Sequence, residues 1–239
     1  MPAPNETAPD IWDVSDVDIS TVDKTKKLIS FTFDDAPSRT LENILAVFAA
    51  FNEQNPDCPA NATVFFNGYL FDAHSTQTVH AAHALGFELG NHSQSHLDLT
   101  TLDEATLREE LDKTDALLAK IDGKPKHLFR APFGRANELV SQSVCTPVIS
   151  WTIDTLDWTG LGEEDIYRSV WDGRFDGAIA LMHDGYTNTV SALKRLLPDL
   201  KADGYQVVSV SQLAKAQGQT LRRGKTYGRI RKPNHAKTN

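Results

Sequence analysis

Short apolar runs rich in β-branched and aromatic residues alternate along this chain with longer segments of helical period. The strand-like runs are 28–33 (LISFTF), 62–67 (ATVFFN), 87–91 (FELGN), 127–130 (HLFR), 148–153 (VISWTI), 178–182 (AIALM) and 205–210 (YQVVSV). Between and after them, apolar spacing predicts helices over 39–53, 75–85, 103–121, 135–143, 163–172, 187–203 and 211–217. Gly86, Gly123 and Gly204 stand just beyond helix ends, and 101–104 (TLDE) has the spacing of a capping box. Pro198 falls inside 187–203 and predicts an interruption there. Strands alternating with helices imply parallel βαβ units. The fold class is therefore α/β, with seven strands that either close into a barrel or form an open doubly wound sheet. Neither common Gly-rich phosphate loop is present, which argues against a nucleotide-binding sheet.

The polar residues follow a second pattern. Chemically capable side chains gather at the C-terminal end of strand after strand. They are Asp34 and Asp35 after the first, His92 and His96 after the third, Arg130 at the end of the fourth, Asp154 and Asp157 after the fifth, and His183 after the sixth. In parallel α/β folds that face holds the active site. Adjacent carboxylates at a strand end point in different directions, so one can face a metal and the other a water. Two histidines four apart share a face if they lie on a helix, and with one carboxylate they can hold a divalent ion. A strand-end Arg130 before Pro132 can fix and aim a carboxylate. The Phe133 N–H can also face a developing oxyanion. A carboxylate such as Asp157 beside His183 would hold that imidazole protonated and oriented, as a general acid requires. The bland alternatives are a helix-start turn at Asp34-Asp35, surface or core histidines, a loop Arg, and a turn with a packed Trp158.

Composition narrows the class. The 239 residues suffice for one large core, and the net charge of −8 argues against nucleic-acid binding by the body. No apolar run approaches the length of a membrane-spanning helix. The first six residues show no signal peptide, so the protein is either exported, with its export signal removed, or cytosolic. Cys58 and Cys145 form no CxxC pair; they are two thiols, or one disulfide if the protein is exported. Residues 1–23 carry six acids, Glu6 among them, and no Lys or Arg; 219–239 carry seven bases, Lys237 among them, and no acid. Such ends predict an acidic segment over 1–26, a body over 27–217 and a basic tail over 218–239, solvated or touching an anionic polymer.

Taken in order, the clusters at 32–36 (TFDDA), 92–96 (HSQSH), 130–134 (RAPFG), 154–158 (DTLDW) and 181–183 (LMH) resemble the five motifs of the polysaccharide deacetylase family, the NodB-homology or carbohydrate esterase family 4 domain. The resemblance covers roughly 27–216. It implies a distorted (β/α)7-type barrel with the active site at the C-terminal strand ends. It also implies Asp34 as catalytic base, and Asp35, His92 and His96 as ligands of a divalent metal, zinc first, with cobalt or nickel also accepted. Arg130 is implied to orient the base, Phe133 to support the oxyanion, Asp157 and Trp158 to tune and shield the acid, and His183 to be that acid. Trp158, Phe133, Tyr186 and Trp151 are candidate sugar-facing surfaces, with core packing the competing role of Trp151. The implied activity is removal of acetyl groups from a carbohydrate. An N-acetylglucosamine polymer such as chitin or peptidoglycan is favoured, acetylxylan is the alternative, and a silent carbohydrate-binding relative is the reading from another class. One position departs from the family pattern: Ala36 stands where Gly is usual, and Ala resists the backbone angles that Gly permits.

Overall fold

The structure is a computed structural model that describes residues 10–232. Glu6, Lys237 and the chain start read for an export signal lie outside the described residues. In chain order the elements are β1 (Ile11–Trp12), β2 (Lys27–Ala36), α1 (Leu41–Gln54), β3 (Ala62–Phe66), α2 (Ala73–Ala84), β4 (Glu88–Asn91), α3 (Glu104–Asp122), β5 (Leu128–Phe129) and α4 (Glu138–Ser143). They continue with β6 (Val148–Ile149), β7 (Ile153–Asp154), α5 (Glu163–Gly173), β8 (Ala178–His183), α6 (Thr187–Ala202), β9 (Tyr205–Val208), α7 (Val210–Gln217), β10 (Leu221–Arg222) and β11 (Thr226–Tyr227).

β2 is the spine. Its side chains alternate between two faces. Ile29, Phe31 and Phe33 join the core that β2 shares with α1, α5 and α6. Leu28 faces the other way, with Phe65, Leu128, Ile149 and Ile179 inside the curl of the sheet. Ser30, Thr32 and Asp34 share the phase of Leu28, so the inward face of β2 grows polar towards its C-terminal end. β8 runs parallel along one edge of β2, with Asp34 opposite His183. The other edge is shared: β9 pairs with 27–30 and β3 with 31–36.

The sheet runs β11-β6-β5-β4-β3-β2-β8-β7, and its neighbours pair in parallel. β6 and β7 lie near opposite ends of that order, yet only Ser150, Trp151 and Thr152 separate them in the chain. The expected single strand over 148–153 therefore breaks in two and closes the curl. Its first half pairs towards β5 and β11, its second half towards β8. This is the distorted parallel α/β barrel. Inside it, Phe65 passes so close to β4 that a Cβ at Gly90 would fall 2.5 Å from its ring.

Three local expectations are corrected. The N-cap of α3 is Asp103, whose side chain accepts from the Thr106 N–H, in place of a capping box opened by Thr101. α6 runs unbroken through Pro198. A helix-interior proline costs about 3 kcal/mol, but Leu196, Leu197 and Leu200 are all buried beside it, each contributing roughly 2 kcal/mol. Thirdly, the described parts of the two charged ends are not solvated tails. β1 pairs antiparallel with β10, Asp10 pairs with Arg222, and β11 extends the main sheet beside β6. Arg231 lies over the Phe175 ring. Cys58 and Cys145 are unpaired. A cavity of about 830 Å³ lies beneath the N-terminal segment, lined by Trp12, Val22, Phe87, Glu88 and Val208 among others, and holds none of the rim residues.

Candidate active site

The inward phase of β2 ends at Asp34, and of β8 at His183, which places a carboxylate and an imidazole side by side on the rim. Asp34 is 4% exposed. Its Oδ1 accepts from Arg130 Nη1 at 2.7 Å, while Oδ2 faces His92 Nε2 at 3.7 Å. Arg130 is itself fully buried. Its Nη1 also reaches Thr32 Oγ1, and Nε and Nη2 donate to the carbonyls of Ile149 and Ser150 at 3.0 and 3.2 Å. Those two carbonyls belong to the seam between β6 and β7. The guanidinium thus satisfies the break in the sheet and aims Asp34 with the same group. Its carbon lies 4.3 Å from the Phe65 ring centroid and 5.5 Å from that of Trp151. Trp151 is partly buried and packs against this interior.

Asp35 points elsewhere, because its backbone turns left-handed at φ 61°. Its Oδ1 lies 3.6 Å from His92 Nε2 and 3.2 Å from His96 Nε2. The ligand atoms of Asp35, His92 and His96 all lie within 4.8 Å of one another. The 3.6 and 3.2 Å separations from Asp35 are those of ligands that share one ion at the usual distances of about 2.0–2.2 Å. The histidines do not share a helix face as the i, i+4 spacing suggested. They sit on a turn after β4, with Ser93 at φ 72° and His96 at φ 52°. His92 Nδ1 lies 2.8 Å from the Arg130 carbonyl, which can only accept. Nδ1 therefore carries the proton and Nε2 offers a lone pair to the triad. Burial pushes the His92 imidazole below its usual range, against the pull of Asp34 and Asp35. His96 is raised by its hydrogen bond to Asp35. The donor set of one carboxylate and two imidazoles fits a zinc-like divalent ion and leaves further positions open.

The third group is His183 with Asp157. Asp157 is buried, and its Oδ1 meets His183 Nδ1 at 2.7 Å. Its Oδ2 accepts from the His183 N–H and from Thr189 Oγ1. Burial works against the charged imidazolium, but the Asp157 hydrogen bond and the charges of Asp34, Asp157 and Asp35 outweigh it and raise His183. Asp154 is exposed and holds the Leu156 N–H, so it serves the turn. Phe133 occupies a left-handed position at φ 58°, its ring 4.7 Å from His96. Around it Gly134 donates to Ala131 and Arg135 to Pro132, which leaves the Phe133 N–H outside the turn's own bonds. Trp158 is 55% exposed beside Asp157, and Tyr186 lies 6.3 Å from His183 between ring centroids.

Several neighbours escaped the sequence reading. Thr32 could have been found from the alternation along β2. Asp184 holds Ser38 through its N–H at 2.5 Å and its Oγ at 2.8 Å, tying the loop after the acids to β8. Burial, opposed by those Ser38 bonds, raises Asp184 to about 6. Glu110 accepts from the Ser95 N–H at 2.7 Å, between the two histidines. Of the exposed large hydrophobic residues, Tyr69, Leu97, Phe133, Leu156 and Trp158 all lie on loops at this rim.

A parallel α/β barrel whose C-terminal rim joins a carboxylate–imidazole triad, an Arg-held Asp and a buried Asp–His pair belongs to a narrow class of folds. The chain is a member of the polysaccharide deacetylase family, whose family model matches residues 21–145. That span includes Asp34, Asp35, His92, His96 and Arg130 and ends before Asp157 and His183. A bifunctional xylanase/deacetylase of Pseudobutyrivibrio xylanivorans is 31% identical over 198 residues, 82% of this chain and 32% of the relative. The peptidoglycan-N-acetylglucosamine deacetylase PgdA of Listeria monocytogenes is 30% identical over 205 residues, 85% of this chain and 42% of the relative. The chain therefore spans well under half the length of these two relatives. Among solved structures, the Xyl-CE4 domain of a multidomain xylanase from the hindgut metagenome of Trinervitermes trinervoides aligns with a TM-score of 0.79 at 27% identity, covering 85% of this chain and 98% of that domain.

Proposed function

We propose that this protein hydrolyses acetyl groups from a carbohydrate with the help of a divalent metal, and that its substrate class is an N-acetylglucosamine-containing glycan of the chitin or peptidoglycan type. One observation carries the reading. Asp34 is held by Arg130 with one oxygen turned towards the Asp35–His92–His96 triad, and His183 stands beside it across the β2–β8 ladder. A zinc ion in the triad, or cobalt or nickel in its place, would supply Lewis-acid polarisation of the acetyl carbonyl and acidify the attacking water. Asp34 Oδ2 takes the proton of that water. The Phe133 N–H supports the negative charge that grows on the carbonyl oxygen. His183, held through Nδ1 by Asp157, gives its Nε2 proton to the leaving amine, and acetate departs. Trp158 and Tyr186 offer apolar surface beside the acid, where a sugar ring can lie.

Removal of O-acetyl groups from xylan is the second reading, favoured by a similar bifunctional xylanase/xylan deacetylase of Cellvibrio japonicus. It needs the same residues, with an alkoxide as the leaving group. Peptidoglycan lies outside the cytoplasm, so the first reading entails export; no helix among the described residues is long and apolar enough to cross a membrane. Acetate release from chitooligosaccharides, peptidoglycan and acetylxylan decides between the substrates. The amide-linked glycans are expected to release acetate faster. Faster release from acetylxylan would replace the first reading with the second, and sugar binding without acetate from any of them would leave a carbohydrate-binding protein.

A further inference from the structure

Glu110 is a buried carboxylate, 7% exposed, on the apolar stripe of α3 with Leu107, Leu111 and Thr114. Its cationic neighbours on the helix are engaged elsewhere, Arg108 with Glu104 and Lys113 with Glu109, and Glu110 makes no ion pair among the described residues. Burying a carboxylate without a counter-ion is costly unless its oxygens are strongly hydrogen-bonded. Here Oε2 accepts the Ser95 N–H at 2.7 Å. Ser95 lies next to His96, which is left-handed, and two residues beyond Ser93, which is also left-handed.

The rest of the turn is fixed near its base. Asn91 Oδ1 accepts the Ser93 N–H, and Asn91 Nδ2 donates to the Leu111 carbonyl of α3. Asn67 Nδ2 donates to the His92 carbonyl, and the Gly68 and Tyr69 N–H groups donate to the carbonyls of Ser93 and Gln94. A Cβ at Gly68 would fall 2.0 Å from Gln94 Oε1 and 2.7 Å from Thr114 Oγ1, so the 67–69 turn, the histidine turn and α3 are in direct contact. At the tip the His96 N–H donates to Ser93 Oγ within the turn at 3.1 Å, and among the described residues the tip's one tether to α3 is the Ser95 N–H bond to Glu110.

We propose that Glu110 is a positioning residue that sets the metal affinity of the triad by fixing the Ser95 N–H, and with it the left-handed backbone that presents His96. The proposal rests on reading Asp35, His92 and His96 as the metal ligands. Losing a hydrogen-bond partner that orients a ligand typically weakens metal binding about 10–100-fold.

The test is zinc affinity of the full chain, measured by competition with a chromophoric chelator, together with hydrogen exchange at the Ser95 amide of the metal-free protein. Glu110→Ala is expected to weaken zinc binding by about 10–100-fold and to speed Ser95 exchange. Glu110→Gln keeps an acceptor oxygen and is expected to recover most of the affinity that Glu110→Ala loses. Glu110→Asp keeps the charge but shortens the reach, and carries the prediction of weakened binding if Glu110→Ala fails to fold. Wild-type affinity in Glu110→Ala or Glu110→Asp, or a Glu110→Gln affinity as low as that of Glu110→Ala, overturns the proposal. A wild-type chain that binds no zinc overturns the reading of the triad instead.

Discussion

Asp35, Ser93, His96, Phe133 and Leu156 are the non-glycine residues with positive φ among the described residues, and all five lie on the C-terminal rim of the barrel. Each such residue costs roughly 1–2 kcal/mol. Strain gathered on one rim and maintained by surrounding hydrogen bonds is the mark of a built site. It also settles the oddity at Ala36. The left-handed turn falls one residue earlier, on Asp35, so Ala36 has no positive φ and its methyl is buried in the core. The residue types of the site were legible in the sequence because their chemistry is specific. Their conformations were not, since the left-handed turns at Asp35 and His96 face one another from different parts of the chain and the neighbouring Ser95 N–H is held by Glu110 of α3. At this scale the raised His183 makes a kinetic prediction. As an acid it must be protonated, so kcat/KM should fall as pH rises through its pKa, which lies above the ordinary imidazole value. Asp157→Asn removes the carboxylate that raises it. The alkaline limb should then move to lower pH by about one unit; an unmoved limb in a pH–rate profile would assign that limb to another group.

The elements were mostly legible. Six of the seven strand-like runs and all seven helices appear where hydrophobic period placed them. Where the reading failed, tertiary packing decided. The 148–153 run looked like one strand but serves two edges, and only the closing of the barrel explains the break. α6 ignores Pro198 because the leucines around it are buried. Glu110 was not singled out from the sequence, although its place between Leu107, Leu111 and Thr114 was a visible signal. α3 also carries a pH-dependent clamp. Buried His127 lies 3.0 Å from Asp115 and 3.2 Å from Asp122, and despite the cost of burial these carboxylates raise it. A His raised on folding stabilises fully below its unfolded pKa of about 6.5, and that stability is lost as pH rises through the higher folded value. Asp122 is lowered by His127 against the opposing effect of burial, so its share is lost on the acid side. His127→Gln should therefore be most destabilising near pH 5–6 and less so by about pH 9. Urea unfolding of both proteins across that range checks it, and a pH-independent difference would refute the clamp.

At the scale of the whole molecule, the barrel and its reactive rim follow from alternation and strand-end chemistry. The ends of the chain do not. An acidic first segment and a basic last one each read as a solvated tail, but they lie against one another through β1, β10 and the Asp10–Arg222 pair. An exposed pair of this kind contributes little. What anchors the last segment is burial, with Leu221 at 1% and Ile230 at 0% exposure and β11 paired to β6. Losing large buried aliphatic side chains costs about 2–5 kcal/mol each, a large share of a domain stability of about 5–15 kcal/mol. A chain ending at Gln217 is accordingly expected to lose cooperative thermal unfolding. A truncated protein that melts at the wild-type temperature would return this segment to the status of a tail.

The central claim is that Asp34 acts as base beside a metal held by other residues. The most direct test is acetate release from an N-acetylated glycan by wild type and Asp34→Asn at matched zinc content. Wild type should release acetate in proportion to bound zinc, up to one ion per chain. Asp34→Asn should bind the same zinc and turn over about 10²–10⁴-fold more slowly. Wild-type turnover by zinc-loaded Asp34→Asn, or undiminished turnover by wild type stripped of zinc, would contradict the account.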